Sequence, residues 1–226
     1  MAKKEVQSRG QALRRSAQEL FMDTIAIRKM SDYDRDVRSE VAAVFVDAYF
    51  KELRFFTKDK DKLINALHHS FSRDVIFLAE MNGEIIGMVG CSNNKVRAIH
   101  LDKTQLRLHL GFFTGHMMYR LMHKEFNIPL PYPDSTGYIE CAATMEKARG
   151  KGAATALIKY LLKELPYHEF ILEVTDANQI AYQFYEKIGF TVFSRKIEKH
   201  SKLKGFKERI YMHKSEELHA TAGQRR

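Results

Sequence analysis

Tyr138-Ile139-Glu140-Cys141-Ala142-Ala143-Thr144, followed after a short link by Arg149-Gly150-Lys151-Gly152-Ala153-Ala154, is the stretch that decides how this chain folds. The first run is short and apolar-leaning and reads as a strand. Ala153 to Leu165 then carries apolar residues at helical spacing, and Pro166 marks its end. A strand, a tight basic glycine turn and a helix N-terminus predict an anion cradle. Glycine lets the backbone come close, the unsatisfied N–H groups of the first turn point at the anion, and the helix dipole favours it. A phosphate loop that also holds magnesium does not fit. Gly150-Lys151 should then be followed by Ser or Thr, and Gly152 and Ala153 stand there. A dinucleotide fingerprint fits poorly too, because Thr155 occupies the place of its third small residue.

Outward from this stretch the chain reads as β-α-α-β-β-insert-β-α-β-α-β-β, an α/β (α+β) single domain with a mixed sheet. Thr24 to Arg28 alternates as a first strand. Ser31-Asp32-Tyr33-Asp34 resembles a capping box with Asp for Glu, opening a helix through Val41, Val44, Phe45 and Tyr49. A second helix is expected around 57–70. Val75 to Met81, Asn82-Gly83 and Glu84 to Cys91 predict a hairpin with positive φ at its two-residue turn. Residues 92–135 break this rhythm as an aromatic, methionine-rich insertion. Thr104 to Phe126 is expected as one helix, followed by an irregular stretch with Pro129, Pro131 and Pro133. Phe170 to Val174 reads as a central strand and Ala177 to Ile188 as a helix closed by Gly189-Phe190. Thr191 to Ile197 and Phe206 to Met212 complete the strands. Residues 1–22 read as a helical or disordered arm, 23–214 as the domain and 215–226 as a frayed tail.

Composition narrows the classes. The chain has 226 residues, 45% hydrophobic and 29% charged, a balance that argues for a globular fold. No apolar run approaches the roughly 18 residues that span a bilayer, so no membrane partner is expected. With no secretory h-region and only Cys91 and Cys141, both in predicted strands, a cytoplasmic location is expected. The net charge of +9 invites a nucleic-acid reading. Its distribution disfavours one: residues 1–30 carry +4 and 195–226 carry +6, while 31–194 carry −1. A homodimer stays open.

Arg149-x-x-Gly152-x-Ala154 resembles the Arg/Gln-x-x-Gly-x-Gly/Ala signature of the GCN5-related N-acetyltransferase (GNAT) family. Asn178-x-x-Ala181-x-x-Phe184-Tyr185-x-x-x-Gly189-Phe190 begins 29 residues after Arg149 and resembles that family's second hallmark. The resemblance covers about 24–91 and 136–213. It implies a GNAT-like mixed, mostly antiparallel central sheet flanked by helices, with a helical insertion between the third and fourth strands. It also implies acetyl-CoA as co-substrate without a metal, and a small-molecule or protein amine as acceptor, attacked directly in a ternary complex. The pyrophosphate would rest on Arg149, Gly150, Lys151, Gly152, Ala153 and Ala154. Ala142 and Thr144 would contact the pantetheine from a bulged, splayed strand, and Asn178 would hold the pantetheine or the backbone nearby, or merely cap its helix. A different class remains open: a non-catalytic CoA-binding sensor or interaction module whose basic ends contact a polyanion.

Two residues are candidates for the chemistry. Tyr185 matches the family's general-acid position; without the resemblance it reads as a core aromatic beside Phe184. Glu140 is the only carboxylate between Tyr138 and Thr144 and could serve as base, bind the substrate ammonium, or pair with a neighbour. At pH 7, freeing the lone pair of a lysine-like amine costs about 4–5 kcal/mol, against about 1 kcal/mol for an α-amine. A base therefore matters more for the former. His109, His116 and His123 recur every seven residues on an expected helical face, about 10 Å apart, too far to share a metal. An exposed or half-buried face is the plainer reading of this segment; the sharper alternative is a lid over the acceptor site, with Phe112, Phe113, Met117 and Tyr119 as its apolar wall.

Overall fold

The computed structural model describes residues 24–199, 201 and 205–215, so the predicted N-terminal arm and C-terminal tail lie outside the described residues. Seven strands, β1 (Ala26–Lys29), β2 (Ile76–Met81), β3 (Glu84–Ser92), β4 (Thr136–Thr144), β5 (Glu169–Thr175), β6 (Thr191–Ile197) and β7 (Glu208–Ser215), form one sheet in the order β1-β2-β3-β4-β5-β7-β6. Only β4 and β5 pair in parallel; every other neighbour is antiparallel. The parallel pair requires a crossover, and the helix that opens at the glycine turn supplies it.

The helices are α1 (Arg38–Ala48), α2 (Phe50–Leu53), α3 (Lys60–Leu67), α4 (Lys103–Leu110), α5 (Phe112–Phe126), α6 (Ala153–Glu164) and α7 (Gln179–Ile188). Two cores sit on opposite faces of the sheet. On one, Val41, Val44 and Phe45 of α1, Leu63 and Leu67 of α3, and Leu106 and Met118 of the insertion meet Ile76, Leu78 and Met88. On the other, Ala153, Leu157, Ile158 and Leu161 of α6 meet Val89, Ile139, Phe170 and Leu172. Full burial of each such side chain contributes about 1.5–3 kcal/mol. Among the described residues no helix is long and apolar enough to cross a membrane.

Local backbone rules hold at the turns. Asn82 and Gly83 take φ of 56° and 78° in the β2–β3 hairpin, as a two-residue primed turn demands. Gly189 (φ 100°) ends α7, with its N–H bonded to Glu186 O and that of Phe190 to Tyr185 O, the paired bonds of a Schellman end.

Three expectations need correction. The segment Ser31–Asp34 caps no helix: Met30–Asp32 forms a 3₁₀ turn and α1 starts later, after Val37, where Asp36 accepts from the Arg38 amide at 3.0 Å. The last strand runs later than expected, Glu208–Ser215. The single helix expected over 104–126 is two, broken at Gly111 (φ 83°, ψ 160°), where an L side chain would be strained. The chain turns back there and α5 packs along α4. A Cβ on Gly115 would lie 2.4 Å from Leu106 O and 2.5 Å from Arg107 N, so the two backbones touch.

Gly115→Ala tests this contact. Helix propensity alone would stabilise by about 1 kcal/mol, but overpacking against backbone costs about 1–3 kcal/mol. The variant is therefore expected to unfold at lower urea concentration than the parent; a higher midpoint would show that the helix pair is not in contact there.

Candidate active site at a parted strand pair

The β4–β5 ladder holds only from Thr136↔Glu169 to Ile139↔Leu172, although both strands continue. Beyond Ile139 the strands part. The cause lies in β4, where Cys141 has φ 56°, a left-handed conformation that non-glycine residues seldom adopt. Opposite, the β3–β4 register slips between Met88 and Gly90: Gly90 faces Glu140 and Met88 faces Ala143, so Cys141 and Ala142 share the space of Val89. This is a β-bulge, and it turns the strand away from β5. Cys141, expected as a strand residue, is the bulge itself; it is free and packs, half-buried, against the core on the α1 side. Residues from Glu140 to Thr144 thus present an edge with no β5 partner.

Two contacts from α1 hold this edge. The Tyr49 hydroxyl donates to the Ala142 carbonyl at 3.2 Å. The Asp47 carboxylate accepts from the Glu146 amide at 2.9 Å and from Lys60 at 2.8 Å. The bond from Glu146, then Lys60, holds the Asp47 carboxyl below the usual carboxylate range. Both residues lie at the end of α1; the sequence places Tyr49 on this helix but shows neither contact, because what they hold is nearly a hundred residues away.

The link from β4 leads through a 3₁₀ turn (Glu146–Ala148) into the cradle. Gly150 (φ 79°) and Gly152 (φ 92°) take left-handed conformations, with nothing within 4 Å of a Cβ built on either. Gly152 precedes α6, and no side chain caps that helix. Arg149 N and Lys151 N bond back to Glu146 O and Ala148 O, and Ala156 N bonds to Gly152 O. The amides of Gly150, Gly152, Ala153, Ala154 and Thr155 have no acceptor among the described residues. Unengaged amides converge on an exposed turn at the positive end of a twelve-residue helix, and Arg149 stands exposed beside them. The arrangement fits a diphosphate ester.

Tyr185 lies on α7, buried, with its ring edge-on to Phe184 and Phe190. Burial, then the nearby Cys141 thiol, raise its phenol well above the ordinary value. Tyr49 is raised by burial, then by Cys141 and Tyr185. The Tyr185 hydroxyl makes no hydrogen bond among the described residues. Asn178 caps α7, its side-chain oxygen accepting from the Ala181 amide at 3.2 Å, which leaves its amide nitrogen free for a second partner.

Glu140 points to the opposite side and is fully engaged. Its carboxylate accepts from Arg97 at 2.7 Å, from the Ala98 amide at 3.1 Å and from Ser92, with both side chains of the ion pair about one-tenth exposed. Arg97 also donates to the carbonyls of Glu125 and Ile128, tying the end of α5 to β4. Phe112 and Phe113 stand at the other end of α5, about 20 Å along its axis from Glu125, and are 61% and 85% exposed. His109 lies on α4, before the break, and His116 and His123 on α5, so the three share no helical face. Among the described residues no three His, Cys, Asp or Glu side chains are placed to hold a metal ion.

A glycine cradle one short turn beyond a bulged strand that leaves its parallel neighbour is a specific arrangement, and the comparison with known families agrees with it. The sequence model of the acetyltransferase (GNAT) family matches residues 41–190, more than half of the chain. The chain belongs to this family. Solved structures share its fold. An N-acetyltransferase from Staphylococcus aureus Mu50 is 18% identical, with 83% of this chain and 99% of that one covered at a TM-score of 0.54. The ribosomal-protein-S18-alanine N-acetyltransferase of Escherichia coli is 12% identical over 89% and 99%, at 0.53. The putative acetyltransferase yncA of Salmonella typhimurium, solved with its cofactor acetyl-CoA, is 14% identical over 88% and 98%, at 0.51. No curated protein sequence matches the chain.

The Asp47 clamp makes a pH-dependent prediction for this GNAT protein. Because folding lowers the Asp47 pKa, its contribution is present above the ordinary carboxylate value of about 3.9 and fades as pH falls through the lowered folded value. Asp47→Asn should lower the urea midpoint at pH 7, and the deficit should shrink as both proteins are taken to pH 3. A deficit that stays constant over that range would show that the carboxylate charge is not what holds the turn.

Proposed function

We propose that this GNAT protein transfers an acetyl group from acetyl-CoA to a primary amine, which attacks directly while both substrates are bound. The observation that supports the reading most is the parting of β4 and β5 beside a cradle of unengaged amides. The amides of Gly150, Gly152, Ala153, Ala154 and Thr155 would receive the pyrophosphate, with Arg149 and Lys151 adding charge. The glycines keep Cβ atoms out of its path. Ala142 and Thr144, on the free edge of β4, would receive the pantetheine arm, with the Asn178 side-chain amide as a further donor.

Acetyl-CoA supplies the acetyl group as an activated thioester, so the chain needs to align and polarise rather than activate. An edge amide aimed at developing negative charge is usually the largest catalytic contribution. Tyr185 would hydrogen-bond the departing thiolate. Its raised pKa keeps the phenol protonated and available as a donor across the working pH range. No cysteine is needed as a carrier, since burial also raises Cys141 and keeps it a thiol. With two free thiols, the protein is read as working in the cytoplasm.

Glu140 enters this reading as the residue that seats the insertion against β4 through Arg97. To serve as base it would have to give up that partner, and breaking a buried ion pair costs about 3–5 kcal/mol. The pH–rate profile of Glu140→Gln separates the two roles. A lowered thermal midpoint with the acidic limb intact supports the anchor; loss of that limb assigns the base to Glu140.

The reaction is tested by thiol release from acetyl-CoA with a panel of amines. Release that depends on the amine supports the transferase; binding of acetyl-CoA without release by any amine supports a CoA-binding module instead. Tyr185→Phe should lower kcat by about 10²-fold, the lower range for proton donation, with acetyl-CoA affinity unchanged. Equal loss of affinity would make Tyr185 a packing residue.

A further inference from the structure

The turn between α4 and α5 leaves apolar side chains of the insertion uncovered. The break at Gly111 sets Phe112 and Phe113 at the start of α5, exposed and with ring centroids 5.4 Å apart. Leu108, near the end of α4, is exposed as well. Along α5 the exposure recurs at a spacing of four, from Phe113 to Met117 and Leu121. Residues four apart lie on one helical face. The three therefore form a stripe on the side away from Gly115 and Met118, the buried residues of α5. Apolar residues exposed singly need no explanation, but a contiguous patch marks an interaction surface.

The same segment carries charge of one sign. Residues 103–124 contain Lys103, Arg107, Arg120 and Lys124 and neither Asp nor Glu. None of these four cations makes an ion pair with a described residue. Arg120 and Lys124 are exposed and follow Phe113 and Met117 by two helical turns, so they share the face of the stripe. On its flank the Arg107 guanidinium lies 4.3 Å over the Phe112 ring and reaches His116 Nδ1 at 3.3 Å. His116 registers the positive field: partial burial, then Lys103, Arg107 and Arg120, hold it below the ordinary imidazole value. Long cationic side chains beside such rings extend the apolar surface with their stems and keep their charged ends in water.

Charge and shape together select the partner. A second copy would set like charges against each other, which is costly. With 85% of its surface exposed, Phe113 protrudes from the turn rather than lining a groove. A protein would need a cavity to match it. The interface of a bilayer instead yields to a protruding ring, takes an apolar helix face about 5–10 Å deep and meets flanking cations with lipid phosphates. We propose that the α4–α5 turn is a membrane-surface contact, where Phe112, Phe113, Met117 and Leu121 enter the interface of an anionic lipid bilayer and Lys103, Arg107, Arg120 and Lys124 face its phosphates. The expectation of no membrane partner follows from the lack of a spanning run, which a surface contact does not need. The rings stand at the opposite end of α5 from the Glu125 carbonyl that Arg97 holds, so the contact is independent of the acetyl-transfer reading.

The chain has no tryptophan, so Phe113→Trp in the full chain makes the turn its own reporter. With vesicles of equimolar phosphatidylglycerol and phosphatidylcholine, its emission should shift to the blue and be quenched by lipids brominated on their acyl chains. Pure phosphatidylcholine should bind at least about tenfold more weakly. Arg120→Gln with Lys124→Gln should weaken binding to the anionic vesicles about 30-fold, the loss of two cations near the surface. The basic ends of the chain would also be drawn to such vesicles, and Phe112→Ser with Phe113→Ser leaves them intact. That variant should cosediment at least about tenfold more weakly with its unfolding midpoint unchanged. If it folds poorly, the quenching of Phe113→Trp still decides. Cosedimentation equal to the parent's would show that the ends alone hold the bilayer. Emission already blue without lipid would show the ring covered by another part of the chain or by a second copy. No response to either vesicle would leave the face to an acidic protein. Each of these three results overturns the proposal.

Discussion

The left-handed turn of Cys141 is the constraint on which the site depends. An L side chain in that conformation costs about 1–2 kcal/mol, and the surrounding structure must hold it. Tyr49 does so from one side through the Ala142 carbonyl, and the Glu140–Arg97–Ser92 net does so from the other. Pairing with β3 resumes at Ala143 once the extra residue has been absorbed. The strain is local, but its result is a gap between two central strands of a sheet that would otherwise be continuous. Without it the cradle at Gly150–Ala154 would be a phosphate site with nowhere for the rest of a ligand to go.

Where the determinant is a local backbone rule, the fold was legible in the sequence. Asn82-Gly83 admits positive φ at both turn positions, and both take it. The glycines at 150 and 152 and the glycine at 189 stand where left-handed residues are needed, and Pro166 follows the end of α6. The apolar run of β5 is as continuous as a strand covered on both faces should be. Errors arose where tertiary contacts override local pattern. Ser31–Asp34 has capping chemistry, but the chain there is drawn into a 3₁₀ turn pinned by the Ser31 amide on Arg73 O. Gly111 sits in an amphipathic pattern that predicts helix on both sides of it. The contact that rewards a break there, Gly115 against Leu106, joins two segments that only the turn brings together.

The site divides along the same line. The left-handed glycines of the cradle and the Asn178-capped helix that carries Tyr185 were legible because their determinants are written in order along the chain. The bulge was implied only by the family resemblance and not by the residues that form it, since cysteine has no preference for left-handed backbone. Arg97 could not be paired with Glu140 at a separation of 43 residues, nor Asp47 with Glu146 at 99. Glu173 did leave a signal, as the single carboxylate inside Phe170–Val174. A charged residue in a largely covered strand is paired, and Glu173, half-buried, is paired with Arg209 of β7.

In the proposed reaction two substrates must meet at one atom pair, which they do best from different directions, and the parted strands would allow that. The cradle lies at the start of α6, on the face where α6 and α7 pack, while Glu140 and Glu173 look toward the face of α1 and the insertion. The gap joins the two faces where backbone N–H and C=O groups are unpaired by strand partners. Hydrogen-bonding capacity that a continuous sheet would spend on itself is therefore available at the meeting point. It is also rigidly aimed, since β4 is still fixed to β3 and β5 to β7 on either side. Fixed dipoles need no reorganisation as charge develops, the condition under which electrostatic stabilisation is strongest. The insertion contributes to the same rigidity: Arg97 ties the end of α5 to β4, and Arg209 ties it to β5 and β7. One helix end is thereby linked to both sides of the gap.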